Sequence, residues 1–178
     1  MKIGLIGFGR TGKAVAAAIL ENKEFSLEWV YRRKTLLENR SIAEFLGIES
    51  DEIGKLYSSE HTAVEDLLDK QPVDFIIDFS SSTGIYSYGK AAASRGVKII
   101  SAISHYAKED IAFMKTLAKE TTVFWSPNIT LGVNFLLLAS KSLKKIAPYV
   151  DIEVVEEHFK QKQGISGTAV KIAEALDL

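Results

Sequence analysis

Apolar residues fall along the chain in short blocks separated by stretches of helical period. Met1–Ile6 is an apolar run ending in glycine, as a buried parallel strand does. Thr11–Asn22 then reads as a helix with Ala14, Val15, Ala18 and Ile19 on one face. Phe25–Tyr31 alternates and is rich in β-formers, which predicts a second strand. Ser41–Leu46 reads as a short helix, Lys55–Ser58 as a weak strand, and Thr62–Leu68 as a helix that Pro72 brings to an end. Val73–Phe79 is a buried strand, Gly84–Arg95 a helix capped by Gly96, and Val97–Ile103 a strand. Lys108–Glu120 is a helix and Thr122–Trp125 a strand. Strands and helices alternating at this spacing predict an α/β fold with a parallel, doubly wound sheet.

Beyond about Gly132 the pattern changes. Val133–Ile146 reads as a long helix, Asp151–Glu157 as an alternating strand, and Thr168–Leu176 as a last helix. One strand with its edges unpaired makes a poor independent core. The expected organisation is therefore a dinucleotide-binding domain over 1–130, with 131–178 the start of a second, incomplete α+β domain.

Composition narrows the functional classes. With 178 residues, 47% hydrophobic and 25% charged, the chain is long enough for one sizeable domain plus a small appendage. Its net charge of −1 gives no global attraction to nucleic acid or to an anionic membrane, so any anion must be bound locally. Cysteine is absent, which excludes disulfides and thiolate chemistry. The three histidines, His61, His105 and His158, lie far apart, so no metal site is expected. The apolar N-terminus is interrupted by glycines and two cations, unlike a secretory leader, and no stretch is long enough to span a bilayer. The expected compartment is the cytoplasm, with neither nucleic acid nor membrane as partner.

The chemistry-bearing motifs sit at strand ends. Gly7, Gly9 and Gly12 have G-x-G-x-x-G spacing between a strand and a helix, with Phe8, Arg10 and Thr11 in the same turn. In that setting the first glycine makes the turn, the second lets the backbone approach a pyrophosphate, and the third allows close helix–strand packing. The helix N-terminus adds free N–H groups and a positive dipole end. The plain alternative is a glycine turn made only for packing. At the end of the second strand, ~20 residues after the last glycine, an acid would select the NAD ribose. Arg32 and Arg33 stand there instead, and a guanidinium can grip a 2′-phosphate. This pattern predicts NADP(H), with NAD(H) as the alternative; the plain reading is a solvated charge run continued by Lys34. Asp78–Thr83 ends a central strand, where Ser80 can meet cofactor or simply cap the next helix. Ser126–Asn134 also follows a strand, and Asn128 and Thr130 can face the nicotinamide end.

Taken in order, G-x-G-x-x-G, the basic strand end, "DFS", "SPNITLGVN" and "DIEVVEEHFKQK…SGTA" resemble the dihydrodipicolinate reductases (4-hydroxy-tetrahydrodipicolinate reductases) of lysine and diaminopimelate synthesis. The likeness runs over nearly the whole chain, and its last two segments are the specific ones. It implies a Rossmann-type domain followed by a substrate domain. Its motif places His158 and Lys162 where the family protonates substrate, and Gly167 and Thr168 where it binds a substrate carboxylate. Ser126, Pro127, Asn128 and Ile129 match a cofactor-lining segment, and Ser101, Ala102 and Ile103 match a Gly-Thr-Thr cofactor loop. The implied reaction is hydride transfer to a cyclic unsaturated dicarboxylate.

Several positions depart from the family. Phe159 replaces a second histidine that contacts substrate, and the element before Ser166 is one residue shorter. Most of the family's C-terminal sheet domain, which also builds its tetramer, is missing, so the chain is expected to be a shortened relative or a fragment, with homo-oligomer formation left open. The alternatives are a related reductase or amine dehydrogenase with an altered substrate, or a nucleotide-binding relative without catalysis. His61 and His105 are read as solvent-facing or packing residues.

Overall fold

The computed structural model of the chain describes residues 1–51, 54–157 and 166–178. They form two compact units, Met1–Trp125 and Ser126–Leu178. The division falls between Trp125 and Ser126, so the segment 126–130, placed with the first domain on sequence, lies in the second unit.

The described residues of the first unit form six strands and five helices. In chain order these are β1 (Lys2–Ile6), α1 (Arg10–Leu20), β2 (Ser26–Arg32), α2 (Ile42–Leu46), β3 (Lys55–Ser58), α3 (Val64–Lys70), β4 (Phe75–Asp78), α4 (Ile85–Ser94), β5 (Lys98–Ser101), α5 (Lys108–Leu117) and β6 (Val123–Trp125). The sheet order is β3-β2-β1-β4-β5-β6 and every strand pair is parallel. Chain order reverses between β1 and β4, which opens a crevice at the carboxyl ends of those two strands. Each predicted βα unit of this domain is present; β3 has its predicted bounds, β2 is shifted by one residue, and the other strands are shorter by one or two residues at an end.

A sheet with helices on both faces needs a core on each. One cluster gathers Ile3, Leu5, Ala16, Ile19, Leu27, Val30 and Leu56; the other gathers Ile6, Trp29, Val64, Leu67, Ile76, Ile85 and Tyr88. Leu27 and Trp29, two residues apart, lie in different clusters. A register irregularity between Ile3 and Gly4 of β1, opposite Leu27 and Trp29, accounts for this. The fully buried indole of Trp29 lies over Gly4, where any Cβ would meet its ring carbons at 2.2–2.6 Å.

Two expectations are corrected. On α1, Ile19 is buried as expected, but Ala14 and Ala18 are exposed, and Gly12 and Ala16 take their place on the inward face. A helix this rich in alanine has little intrinsic facing. The face it turns inward includes Gly12, whose Cβ position is only 2.3 Å from the Gly7 carbonyl oxygen, so no larger residue fits there. In the second unit, which contains α6 (Leu131–Ile146) and α7 (Gly167–Ala175), Asp151–Glu157 is not a strand. Its alternation survives in burial, with Ile152 and Val154 half-buried beside a groove lined by Leu136, Ile172 and Leu176. No strand among the described residues of this unit offers the ladder that extended backbone needs. No described helix is long and apolar enough to cross a membrane.

Candidate functional site

The carboxyl edge of the sheet in the first unit carries two adjoining clefts. One, of about 200 Å³, is lined by Gly7, Arg32, Arg33, Ser59, Ser80 and Gly84 among others. The second, of about 410 Å³, is lined by Thr11, Ser80, Ser81, Ala102, Ser104 and His105 among others. Ser80 and Ser81 belong to both, so the two read as one continuous trough across the β1/β4 switch point. The basic end of β2 lies at one end and the loop after β5 at the other.

Gly7 sits at the middle, with a φ of 93°, a left-handed conformation that favours glycine. A Cβ there would lie 2.9 Å from the backbone of Phe79 and Ser80. The Gly7 N–H donates to the Tyr31 carbonyl at 2.8 Å, and the Phe79 N–H donates to the Ile6 carbonyl at 2.9 Å, so the turn is stitched to β2 and to the end of β4. Gly9, the N-cap of α1, differs: a Cβ added to it would meet nothing within 4 Å. Nothing in the protein demands glycine at that position, which fits close approach by a ligand. The Phe8 ring is buried at 7% exposure against Phe45, so this residue can meet a ligand only through its backbone. Thr11 is exposed on the trough.

At the basic end, Arg32 is half-buried and its Nε donates to the Lys34 carbonyl at 3.1 Å, while Arg33 is exposed. Their backbone is held from β3: Ser59 N–H donates to the Arg32 carbonyl at 2.8 Å, and the Ser58 hydroxyl to the Arg33 carbonyl at 3.0 Å. Glu38 accepts from the Ser58 N–H at 3.1 Å and pairs with His61 Nδ1 at 2.6 Å. The hydrogen bond to Glu38 raises the His61 pKa, and the same bond lowers that of Glu38. His61 therefore contributes stability that is complete below about pH 6.5 and is lost as pH rises through its folded pKa. Glu38 contributes stability present above about pH 4.5 and lost as pH falls through its lowered value. Thermal melts across pH should show a plateau between those limits that is flattened in His61→Gln. The effect is small because the imidazole is largely exposed. Equal pH profiles for both proteins would refute the tether.

Under the trough lies a polar cluster that sequence reasoning did not single out as a site. Asp78, at the end of β4, is fully buried. Its Oδ1 accepts from the Ser80 N–H at 2.8 Å and from the Ser80 hydroxyl at 2.6 Å, and its Oδ2 from the Tyr88 hydroxyl at 2.8 Å. Burial pushes the Asp78 carboxyl above its ordinary value, against the lowering effect of these donors. The Asp78 carbonyl also accepts from the Ala102 N–H at 3.0 Å, which joins the loops after β4 and β5. The only advance sign of this was an acidic residue closing an otherwise apolar strand. Ser101, matched to the family's cofactor loop, is fully buried, and its hydroxyl shares a 2.8 Å hydrogen bond with Tyr106. Ala102 lines the trough, as does Ile103, which is nine-tenths buried.

In the second unit, Ser126 and Asn128 line a cavity of about 110 Å³ together with Asn134, Thr168 and Lys171. The turn is self-braced: the Ser126 hydroxyl donates to the Asn128 carbonyl at 2.9 Å, and Asn128 Oδ1 accepts from the Thr130 N–H at 3.2 Å. Pro127 and Ile129 do not line this cavity. Ser166 caps α7, its Oγ accepting from the Ala169 N–H at 3.0 Å. The Glu156 carboxylate accepts from both the Ser166 N–H, at 2.7 Å, and the Ser166 hydroxyl. A carboxylate thus already rests at the N-terminus of α7, where the helix dipole favours negative charge, beside Gly167 and Thr168. His158 and Lys162 lie outside the described residues.

Comparison with known proteins agrees with this architecture. Residues 1–129 match the family model for the N-terminus of dihydrodipicolinate reductase. A 4-hydroxy-tetrahydrodipicolinate reductase of Caldanaerobacter subterraneus is 29% identical over 171 residues, covering 95% of this chain and 60% of that protein. One from Lawsonia intracellularis is 31% identical over 173 residues, covering 94% and 60%. The chain thus spans about 60% of the length of these curated relatives. Among solved structures, the dipicolinate-bound dihydrodipicolinate reductase of Paenisporosarcina sp. TG-14 superposes with a TM-score of 0.71 at 19% identity, covering 99% of this chain and 65% of that one. An amine dehydrogenase from Mycobacterium smegmatis gives 0.58 at 16% identity, covering 69% and 38%. The structural likenesses speak for the fold; the sequence match over most of the described chain, glycine turn included, decides the family. This chain belongs to the dihydrodipicolinate reductase family.

Proposed function

We propose that the chain carries out the NADP(H)-dependent reduction of a cyclic unsaturated dicarboxylate, the 4-hydroxy-tetrahydrodipicolinate reductase step of lysine and diaminopimelate synthesis. The observation that supports this most is the trough on the carboxyl edge, which runs from Arg32 and Arg33 past Gly7 to Ala102 and His105. Its order of features matches a dinucleotide laid out with the ribose phosphate at β2 and the pyrophosphate over the glycine turn. The open space at Gly9 fits such a ligand.

When bound, the reduced nicotinamide supplies the hydride. The protein's share is to hold the acceptor ring, offset its two carboxylates and deliver the balancing proton. By the family motif, Gly167 and Thr168 are assigned to one substrate carboxylate, which would take the place at the N-terminus of α7 that Glu156 holds. His158 and Lys162, matched by the family motif, are assigned to proton delivery, a part suited to an imidazole and an ammonium group. Ser126–Ile129 and Ser101–Ile103 are assigned to the cofactor, the latter through its backbone because the Ser101 side chain is turned inward.

The direct test is NADPH oxidation by the native chain in the presence of the ring dicarboxylate. Tight NADPH binding without turnover would instead support a non-catalytic nucleotide-binding relative. Cofactor choice has its own test. Arg32→Asp is expected to weaken NADPH binding by about tenfold or more while strengthening NADH, because a carboxylate repels the 2′-phosphate and accepts from the 2′-hydroxyl. A native preference for NADH in fluorescence titrations would overturn the NADP(H) assignment.

A further inference from the structure

We infer that His105 is a substrate-binding residue, contributed by the dinucleotide-binding unit, that hydrogen-bonds a carboxylate of the ring substrate. This rests on the reading of the trough as a dinucleotide site. In that arrangement the adenosine half lies toward β2, so the opposite half, where the nicotinamide and the acceptor ring meet, lies over the loop that follows β5. His105 belongs to that loop and lines the trough there.

Three observations make the imidazole more than a surface side chain. First, its loop is anchored on both sides. The Ala102 N–H donates to the Asp78 carbonyl at 3.0 Å, and Trp125 Nε1 donates to the Ile103 carbonyl at 2.8 Å. Beyond His105, Tyr106 is buried, its hydroxyl shares a hydrogen bond with Ser101, and its ring packs edge-on against Trp125 at 5.4 Å. The side chain between these anchors is therefore presented from a fixed backbone. Second, the imidazole is exposed to the trough and has no hydrogen-bond partner among the described residues. Third, its surroundings suit an anion. The polar side chains lining this part are the hydroxyls of Thr11, Ser80, Ser81, Ser82 and Ser104, and no carboxylate lines it. Asp78, beneath, is buried and already satisfied by Ser80 and Tyr88. An imidazole N–H is then the strongest donor available to a carboxylate in this half of the trough. The chain has phenylalanine at 159, where the family uses a histidine against its substrate, so an imidazole at 105 offers the dicarboxylate a donor of the same kind.

The test titrates pyridine-2,6-dicarboxylate into the NADPH-loaded full chain by calorimetry, comparing the native protein with His105→Phe and His105→Gln. His105→Phe should weaken dicarboxylate binding about tenfold or more. His105→Gln, which keeps a neutral N–H donor, should recover part of the loss, and NADPH affinity should stay within about twofold in both. Equal dicarboxylate affinity in the native protein and His105→Phe would overturn the inference while leaving the reductase reading standing. Failure of the native chain to bind NADPH would overturn both. Native binding of NADPH but not of the dicarboxylate would overturn the inference together with the ring dicarboxylate as substrate, and would leave the dinucleotide site standing.

Discussion

Asp78→Ala is expected to destabilise the first unit by about 3–5 kcal/mol, read from urea unfolding. The carboxylate is fully buried and holds three donors, two from Ser80 and one from Tyr88. Removing it strands the Tyr88 hydroxyl, whose side chain is fully buried, and frees the Ser80 loop that lines both clefts. Each orphaned buried donor costs about 1–3 kcal/mol. Tyr88→Phe removes only one of the three donors and should cost less. Asp78→Asn should lie between, because its carbonyl can still serve Ser80 while its amide faces Tyr88. Acid adds a second signature. The folded carboxyl has its pKa raised above 3.8, chiefly by burial, so the native state holds a proton that the unfolded chain has already released. Stability contributed by this group therefore rises as pH falls from its folded pKa toward about 3.8, the reverse of a salt-bridged carboxylate. Asp78→Asn should lack that increment. Identical acid profiles for the two proteins would show that the cluster does not carry the effect.

Gly9→Ala and Gly12→Ala should separate binding from folding. A Cβ at Gly9 meets nothing within 4 Å, so the alanine protein should fold with a loss of only about 1 kcal/mol or less, the cost of a poorer N-cap. Its NADPH affinity should fall about 100-fold, because the methyl group takes the place where a pyrophosphate must approach the backbone. Gly12 behaves in the opposite way. There a Cβ lies 2.3 Å from the Gly7 carbonyl oxygen and 3.0 Å from its carbon, both backbone atoms that cannot swing aside. Gly12→Ala should cost about 2–4 kcal/mol in stability, since either α1 or the first turn must shift. Melting curves and NADPH titrations on the same samples make the comparison. Full NADPH affinity in Gly9→Ala would rule out a dinucleotide over this turn.

What could be read in advance depended on how local the signal was. The apolar run of β1, the glycine turn and the Gly96 cap are specified by residues within one turn or strand of each other, and all stand where the pattern put them. Non-local features were harder. Asp151–Glu157 alternates like a strand, but a strand is made by its neighbour's hydrogen bonds, and none is present in its unit among the described residues. The inward face of α1 keeps a helical period through Gly12, Ala16 and Ile19, but its close contact at Gly12 with the Gly7 carbonyl oxygen is not visible in that period. The motif likeness marked Ser101 as a cofactor residue and left His105 as a packing or solvent residue. The fold turns the Ser101 hydroxyl inward to Tyr106 and leaves the His105 ring on the trough.

By itself, then, the order of apolar runs and glycines determined a parallel doubly wound sheet, and the family motifs determined the kinship. Both follow from short-range backbone constraints: strand and helix periods, positive φ, and the need for close backbone approach. Only the tertiary structure decided which polar groups are buried and which are presented. Asp78 gathers Ser80 and Tyr88 beneath the trough, while Ser58 and Ser59 fix the backbone of Arg32 and Arg33 from a neighbouring strand. Those assignments depend on contacts between residues far apart in the chain, Ser58 with Arg33 at a separation of 25 and Ser59 with Arg32 further still, and it is packing of the whole sheet that brings such partners within hydrogen-bonding distance.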